Sequence, residues 1–118
     1  MSYTALSADT FNDTVSEGTV IVDFWASWCG PCRQFAPIFE AASDKHPEVV
    51  FGKVDTDANQ ELSAALEIQS IPTIMVFRDG ILVFRHSGVI NAKELDELLG
   101  KVAELDMDEV RKSVEAAK

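Results

Sequence analysis

Val20-Ile21-Val22-Asp23-Phe24-Trp25 is apolar on both sides of its alternation, apart from Asp23. A strand of that kind is buried on both faces, so it needs a sheet with helices above and below it. The run leads into Ala26-Ser27-Trp28-Cys29-Gly30-Pro31-Cys32-Arg33. A helical pattern follows, with Phe35, Ile38, Phe39 and Ala42 at i, i+3, i+4 and i+7. The chain's two cysteines therefore fall where a strand hands over to a helix.

That place has a chemical consequence. The first turn of a helix carries N–H groups without intrahelical partners, and the macrodipole is positive there. A thiol at that end gives up its proton more easily, and the thiolate is the reactive form. Cys29, at the start, gains most. Cys32 lies three residues on, on the same helix face and at a separation a disulfide can span. A short, accessible disulfide of this kind exchanges readily. Pro31 suits the first turn, because its missing N–H has no intrahelical partner to lose there. Structural thiols or half of a metal site are the alternatives, but C-x-x-C within a βαβ pattern favours redox exchange.

The rest of the chain supplies the frame. Tyr3 to Leu6 reads as a first strand, and Ser7 as the cap of a helix with Phe11 and Val15 on its buried face. The helix after Cys32 contains Pro37, which predicts a kink, and ends by His46-Pro47. Val49 to Val54 reads as the next strand. Asp57-Ala58-Asn59-Gln60 resembles a capping box, with Leu62, Ala65 and Leu66 inward. Ile74 to Phe77 and Ile81 to Arg85 are strands joined by the strong hairpin signal Asp79-Gly80. Asn91 to Glu94 caps a helix with Leu95, Leu98, Leu99 and Val102 on one face. The order βαβαβαββα predicts an α/β fold: a five-stranded mixed sheet with helices on both faces. Residues 105–118 add a weak stripe of Met107, Val110 and Val114, which predicts a short surface helix.

Trp28-Cys29-Gly30-Pro31-Cys32, preceded by Val22-Asp23-Phe24-Trp25-Ala26, resembles the active site of the thioredoxin family. Asp55, Ile71-Pro72-Thr73, Asp79-Gly80 and Gly88 match in the same order, so the resemblance spans about residues 3–104. It implies a thioredoxin fold in a single domain over 1–118, with 105–118 as a C-terminal extension. It implies a protein-disulfide reductase that works by dithiol–disulfide exchange through a Cys29–Cys32 redox disulfide. Asp23 would lie beneath the pair and help move the proton of Cys32. By itself, a carboxylate in such a strand is costly unless paired or protonated, and the plain alternative is an edge aspartate bonded to backbone. Lys53 would face Asp23; its alternative is a solvated strand-edge lysine. Pro72 would be cis, and Trp28, Ile71, Pro72, Thr73, Gly88 and Val89 would receive an extended substrate segment, with Pro31 and Thr56 beside them. Gly30-Pro31 is the intervening pair of the reducing members. Arg33 stands where many members carry lysine, which keeps the charge.

The resemblance further implies recycling by a thioredoxin reductase, so NADPH and FAD belong to that partner and none is expected on this chain, which has no Gly-rich phosphate loop. Disulfide-containing proteins are the other expected partners, and a monomer is expected. The net charge of −10 argues against nucleic acid. No apolar run is long enough for a membrane, and Met1-Ser2-Tyr3-Thr4 lacks a basic stretch before an apolar core. A reducing cytoplasm is therefore expected. Zinc held by Cys29, Cys32 and His46 is disfavoured, because no second histidine follows at ligand spacing and His86 falls on a strand. A binding platform with incidental cysteines would use the same surface, and Cys29→Ser separates it from a reductase.

Overall fold

The computed structural model describes residues 2–117. Its elements run β1 (Tyr3–Leu6), α1 (Ala8–Val15), β2 (Thr19–Trp25), α2 (Gly30–Lys45), β3 (Val50–Asp55), α3 (Gln60–Ala65), β4 (Thr73–Arg78), β5 (Ile81–Ser87), α4 (Ala92–Ala103) and α5 (Met107–Ala116). One five-stranded sheet has the order β1-β3-β2-β4-β5. β1 and β2 are parallel to β3, whereas β4 is antiparallel to β2, and β5 to β4.

The double-sided burial read from β2 follows from its central place. Val20, Val22 and Phe24 join Phe11 and Val15 of α1, with Leu62 and Leu66 packed against them. Ile21 points the other way, into a cluster with Phe35 and Phe39 of α2 and Leu95, Leu99 and Val102 of α4. Alternation along one strand thus builds two cores. α2 continues through Pro37 and ends at Lys45, with His46 as its C-cap. The β4–β5 turn places Asp79 at φ 52° and Gly80 at φ 84°, the left-handed pair that a tight hairpin needs. At α4, Asn91 Oδ1 accepts from the Glu94 N–H at 2.8 Å and the Asn91 N–H donates to Glu94 Oε1 at 3.2 Å. Two orphan donors are satisfied by that box.

Two local expectations are corrected. β3 begins and ends one residue later than its apolar run. The box at Asp57–Gln60 does not form, because the N-cap of α3 is Asn59. Asn59 Oδ1 accepts instead from the Ala8 N–H at 3.1 Å, and its Nδ2 donates to Asp55 O at 3.0 Å. α3 has only six residues, too few for a full inward face. Ala65 is exposed, and Ser63 is buried in its place, its hydroxyl donating to Asn59 O at 2.8 Å.

The extension is a docked helix. Asp106 Oδ1 caps it by accepting from the Asp108 and Glu109 N–H groups at 3.0 and 3.3 Å. Arg78 reaches from β4 to donate to Val102 O at 2.7 Å, which ties the end of α4 to the sheet. Met107 is buried, whereas Val114 is 38% exposed. Met107→Ala should lower the unfolding free energy by about 2 kcal/mol, while Val114→Ala should change it by less than about 0.5 kcal/mol. Urea midpoints measure both, and equal effects would contradict docking through the first turn.

Candidate active site

β2, β3 and β5 all end at one edge of the sheet, and β4 begins there, as the register pairs Phe24 with Thr73, Trp25 with Asp55 and Thr73 with Ser87 show. Reactive loops of α/β sheets gather at such an edge. Topology therefore brings together stretches far apart in sequence: the cysteine loop, Thr56-Asp57, Ile71-Pro72 and Gly88-Val89.

Cys29 is the N-cap of α2, and Cys29 and Cys32 are disulfide-bonded with their Cα atoms 5.2 Å apart. The Cys32 N–H donates to Cys29 Sγ at 3.1 Å. An orphan amide of the first turn is thus aimed at the leading sulfur, the local form of the helix-end argument. A thiolate formed there on reduction inherits the bond. Pro31 occupies the first turn without leaving a donor unmet.

The loop is held from both ends. The Trp28 indole N–H donates to Asp57 Oδ2 at 2.9 Å, and the Arg33 guanidinium donates to Ser27 O at 2.9 Å. Thr56 joins the β3 loop to β2, both its N–H and its hydroxyl donating to Trp25 O, at 2.9 and 3.0 Å. Sequence reasoning missed Asp57, which it used as a helix cap. Nothing local marks it, since its partner is 29 residues away.

Across the cysteines, the Ile71–Pro72 bond is cis and Ile71 O lies 3.6 Å from Cys29 Sγ. The Gly88 N–H donates to Pro72 O at 2.8 Å from a φ of 109°, a conformation that suits glycine. Thr73 is fully buried; its hydroxyl donates to Ser70 O at 2.5 Å and lies 3.2 Å from Ser87 Oγ. Thr73 therefore supports the rim from below, while Trp28, Pro31 and Val89 are exposed on it and Ile71 is half-buried.

One expectation about the pair itself is corrected. Cys29 and Cys32 are only 4% and 3% exposed, against the accessible pair anticipated. The tethered loop and the Ile71 carbonyl enclose them.

Asp23 is 1% exposed, and among the described residues neither carboxyl oxygen has a hydrogen-bond partner. It is not the edge aspartate of the alternative reading. Burial pushes it up to about 7, and the Lys53 charge acts against that rise. Lys53 is opposite Asp23 in the β2–β3 register, and its ammonium rests over aromatic rings. A small cavity of about 110 Å³ connects Lys53 with Cys32, Arg33 and Ala36. His46 is engaged elsewhere, its ring nitrogens 2.9 Å from Asp96 Oδ1 and 3.3 Å from Glu48 Oε1.

Comparison with known proteins agrees with this geometry. The thioredoxin family model matches residues 2–104. The chain belongs to the thioredoxin family. It is 47% identical over 110 residues to a Streptomyces coelicolor protein provisionally named thioredoxin 2, covering 92% of this chain and 82% of that one. It is 41% identical over 93 residues to the thioredoxin of Listeria monocytogenes, covering 78% and 90%. The crystal structure of a Malassezia sympodialis thioredoxin superposes with a TM-score of 0.77 at 30% identity, over 86% of this chain and 93% of that one. Membership and the bonded pair together make this thioredoxin-family chain a protein-disulfide reductase acting through Cys29 and Cys32. Among the described residues, no helix is long and apolar enough to cross a membrane.

Proposed function

We propose that the two sulfurs divide one exchange reaction, with Asp23 as its proton acceptor. The Cys29 thiolate attacks a sulfur of a target disulfide; that bond breaks, a target thiolate leaves, and a mixed disulfide forms. Cys32 then passes its proton to the Asp23 carboxylate and attacks Cys29 Sγ. The second target sulfur leaves and takes up a proton, so two electrons have moved and Cys29–Cys32 is oxidised. The carrying observation is the buried Asp23 carboxyl, without a hydrogen-bond partner among the described residues and pushed up to about 7, where a base is most useful at neutral pH. A small cavity lined by Lys53 and Cys32 brings the register partner of Asp23 beside the releasing sulfur.

Trp28, Pro31, Ile71 and Val89 form the apolar rim for the target segment, and the backbone around Pro72 is its pairing edge. At Gly30 the leading turn faces open space, with nothing within 4 Å of where a side chain would start. An NADPH-linked flavoprotein, a thioredoxin reductase, returns the dithiol, and a reducing cytoplasm is the setting that suits this cycle.

The test couples a protein disulfide to NADPH oxidation through a thioredoxin reductase. Wild-type protein should sustain turnover. In single-turnover mixing at pH 8, Asp23→Asn should slow release of the reduced target by about a hundredfold and leave mixed-disulfide formation nearly unchanged. Equal slowing of both steps would remove Asp23 from the acceptor role; no NADPH consumption by wild-type protein would remove the reductase.

A further inference from the structure

The Lys53 ammonium lies 5.0 Å from the centroid of the Tyr3 ring and 5.2 Å from that of Trp25. Both are within the range in which a cation is attracted to an aromatic face. Sheet register explains the clamp. Ala5 of β1 is opposite Lys53, and Tyr3 lies one pleat earlier on the same face. The Tyr3 hydroxyl makes no hydrogen bond to any described residue, so the ring is what acts.

We propose that Tyr3 is a positioning residue for the exchange reaction: with Trp25, it holds the Lys53 ammonium off the Asp23 carboxyl. Asp23 is opposite this cation in the register, yet among the described residues neither of its oxygens has a hydrogen-bond partner. Rings and carboxylate compete for one charge. Removing a competitor raises the share of Lys53 drawn to Asp23, which favours the ionised carboxyl and weakens it as a base. The inference rests on the proton-acceptor reading of Asp23.

The other groups around Asp23 leave this competition standing. β4 presents Ile74 and Val76 on this face, and α2 presents Phe35, Phe39 and the cysteine pair. α4 contributes Leu95 and Leu99. Asp55, two residues beyond Lys53, is turned to its own loop, accepting from the Asp57 and Ala58 N–H groups at 3.0 and 3.4 Å. The Arg33 guanidinium is bonded to Ser27 O.

The experiment follows the Asp23 carboxyl carbon by NMR across pH in the disulfide form, where no thiol titrates beside it. Tyr3→Leu should lower the Asp23 midpoint by about 0.4–0.7 pH units, the reach of one cation–π contact. Tyr3→Phe should keep the wild-type midpoint. In a Lys53→Met background, Tyr3→Leu should move nothing. No fall with leucine, or the same fall with phenylalanine or without Lys53, would overturn the proposal. A second readout needs no variant: the Lys53 ε-protons of the wild-type protein should resonate upfield under two ring currents, and random-coil positions would overturn the clamp. The acidic limb of the target-release rate should follow the Asp23 midpoint. A midpoint that moves while that limb stays would leave the clamp intact and remove the acceptor role instead.

Discussion

Cys32→Ser should accumulate target proteins covalently on Cys29, and Cys29→Ser should form no such complexes and lose turnover by at least about a thousandfold. The asymmetry follows from position. Cys29 is the helix cap whose sulfur accepts the Cys32 N–H at 3.1 Å and lies 3.6 Å from Ile71 O, beside the rim proposed for the target. A serine hydroxyl there is far too weakly acidic to attack a disulfide at neutral pH. In the proposed exchange Cys32 releases the target, so its loss strands the mixed disulfide at the half-way point. The readout is reducing-agent-sensitive bands on a non-reducing gel, with mass spectrometry locating the bond at Cys29. Complexes of equal yield through either single cysteine would contradict the division of labour. Partner function kept intact by Cys29→Ser would favour the binding-platform reading over the reductase.

Asp23→Asn should change the pH dependence of stability by about 4 kcal/mol. The Asp23 carboxyl titrates near 3.8 in an unfolded chain and near 7 in the folded one. Below 3.8 both states hold the proton and Asp23 contributes no pH dependence. Between the two values the unfolded chain releases the proton while the folded chain keeps it. Stability then falls as pH rises, by about 1.4 kcal/mol per pH unit. Above about 7 the folded carboxyl ionises as well and the loss levels off. Asparagine has nothing to titrate, so the variant should gain on the wild type steadily across that window. Its fixed cost as a buried amide offsets the curve without bending it. Urea unfolding of both proteins in the disulfide form, from pH 3.5 to 8.5, isolates the difference, because every other carboxylate cancels. A pH-independent difference would mean that Asp23 titrates as an exposed aspartate does.

The same residue shows where sequence stops and structure begins. The local frame was legible: β1, β2 and α4 fall where alternation, helical spacing and the Asn91–Glu94 box put them. Hairpin chemistry at Asp79-Gly80 was equally plain, because left-handed backbone is written in residue type. The cysteine motif named the chemistry, since a helix-capping sulfur and a second one a turn away need only local geometry. Asp23 itself stood out as a charge in an apolar run. Its lack of a partner did not, because that depends on what β3, β4 and α2 place around it.

What remained was decided by contacts between distant segments. Asp57 looked like a cap and is the acceptor for the Trp28 indole; Asn59 looked like the interior of a box and braces α1. Polar side chains such as these serve several local motifs equally well, and the winner is the one that tertiary packing leaves unpaired. The depth of the cysteine pair belongs to this group, as does the resting place of Lys53 over Tyr3 and Trp25. Sequence by itself determined the order of elements, the two faces of the sheet and the reacting atoms, because periodicity and turn chemistry act over a few residues. Only the tertiary structure decided how deeply the sulfurs sit and which charges meet, because burial and pairing are set by elements that the chain brings together from afar.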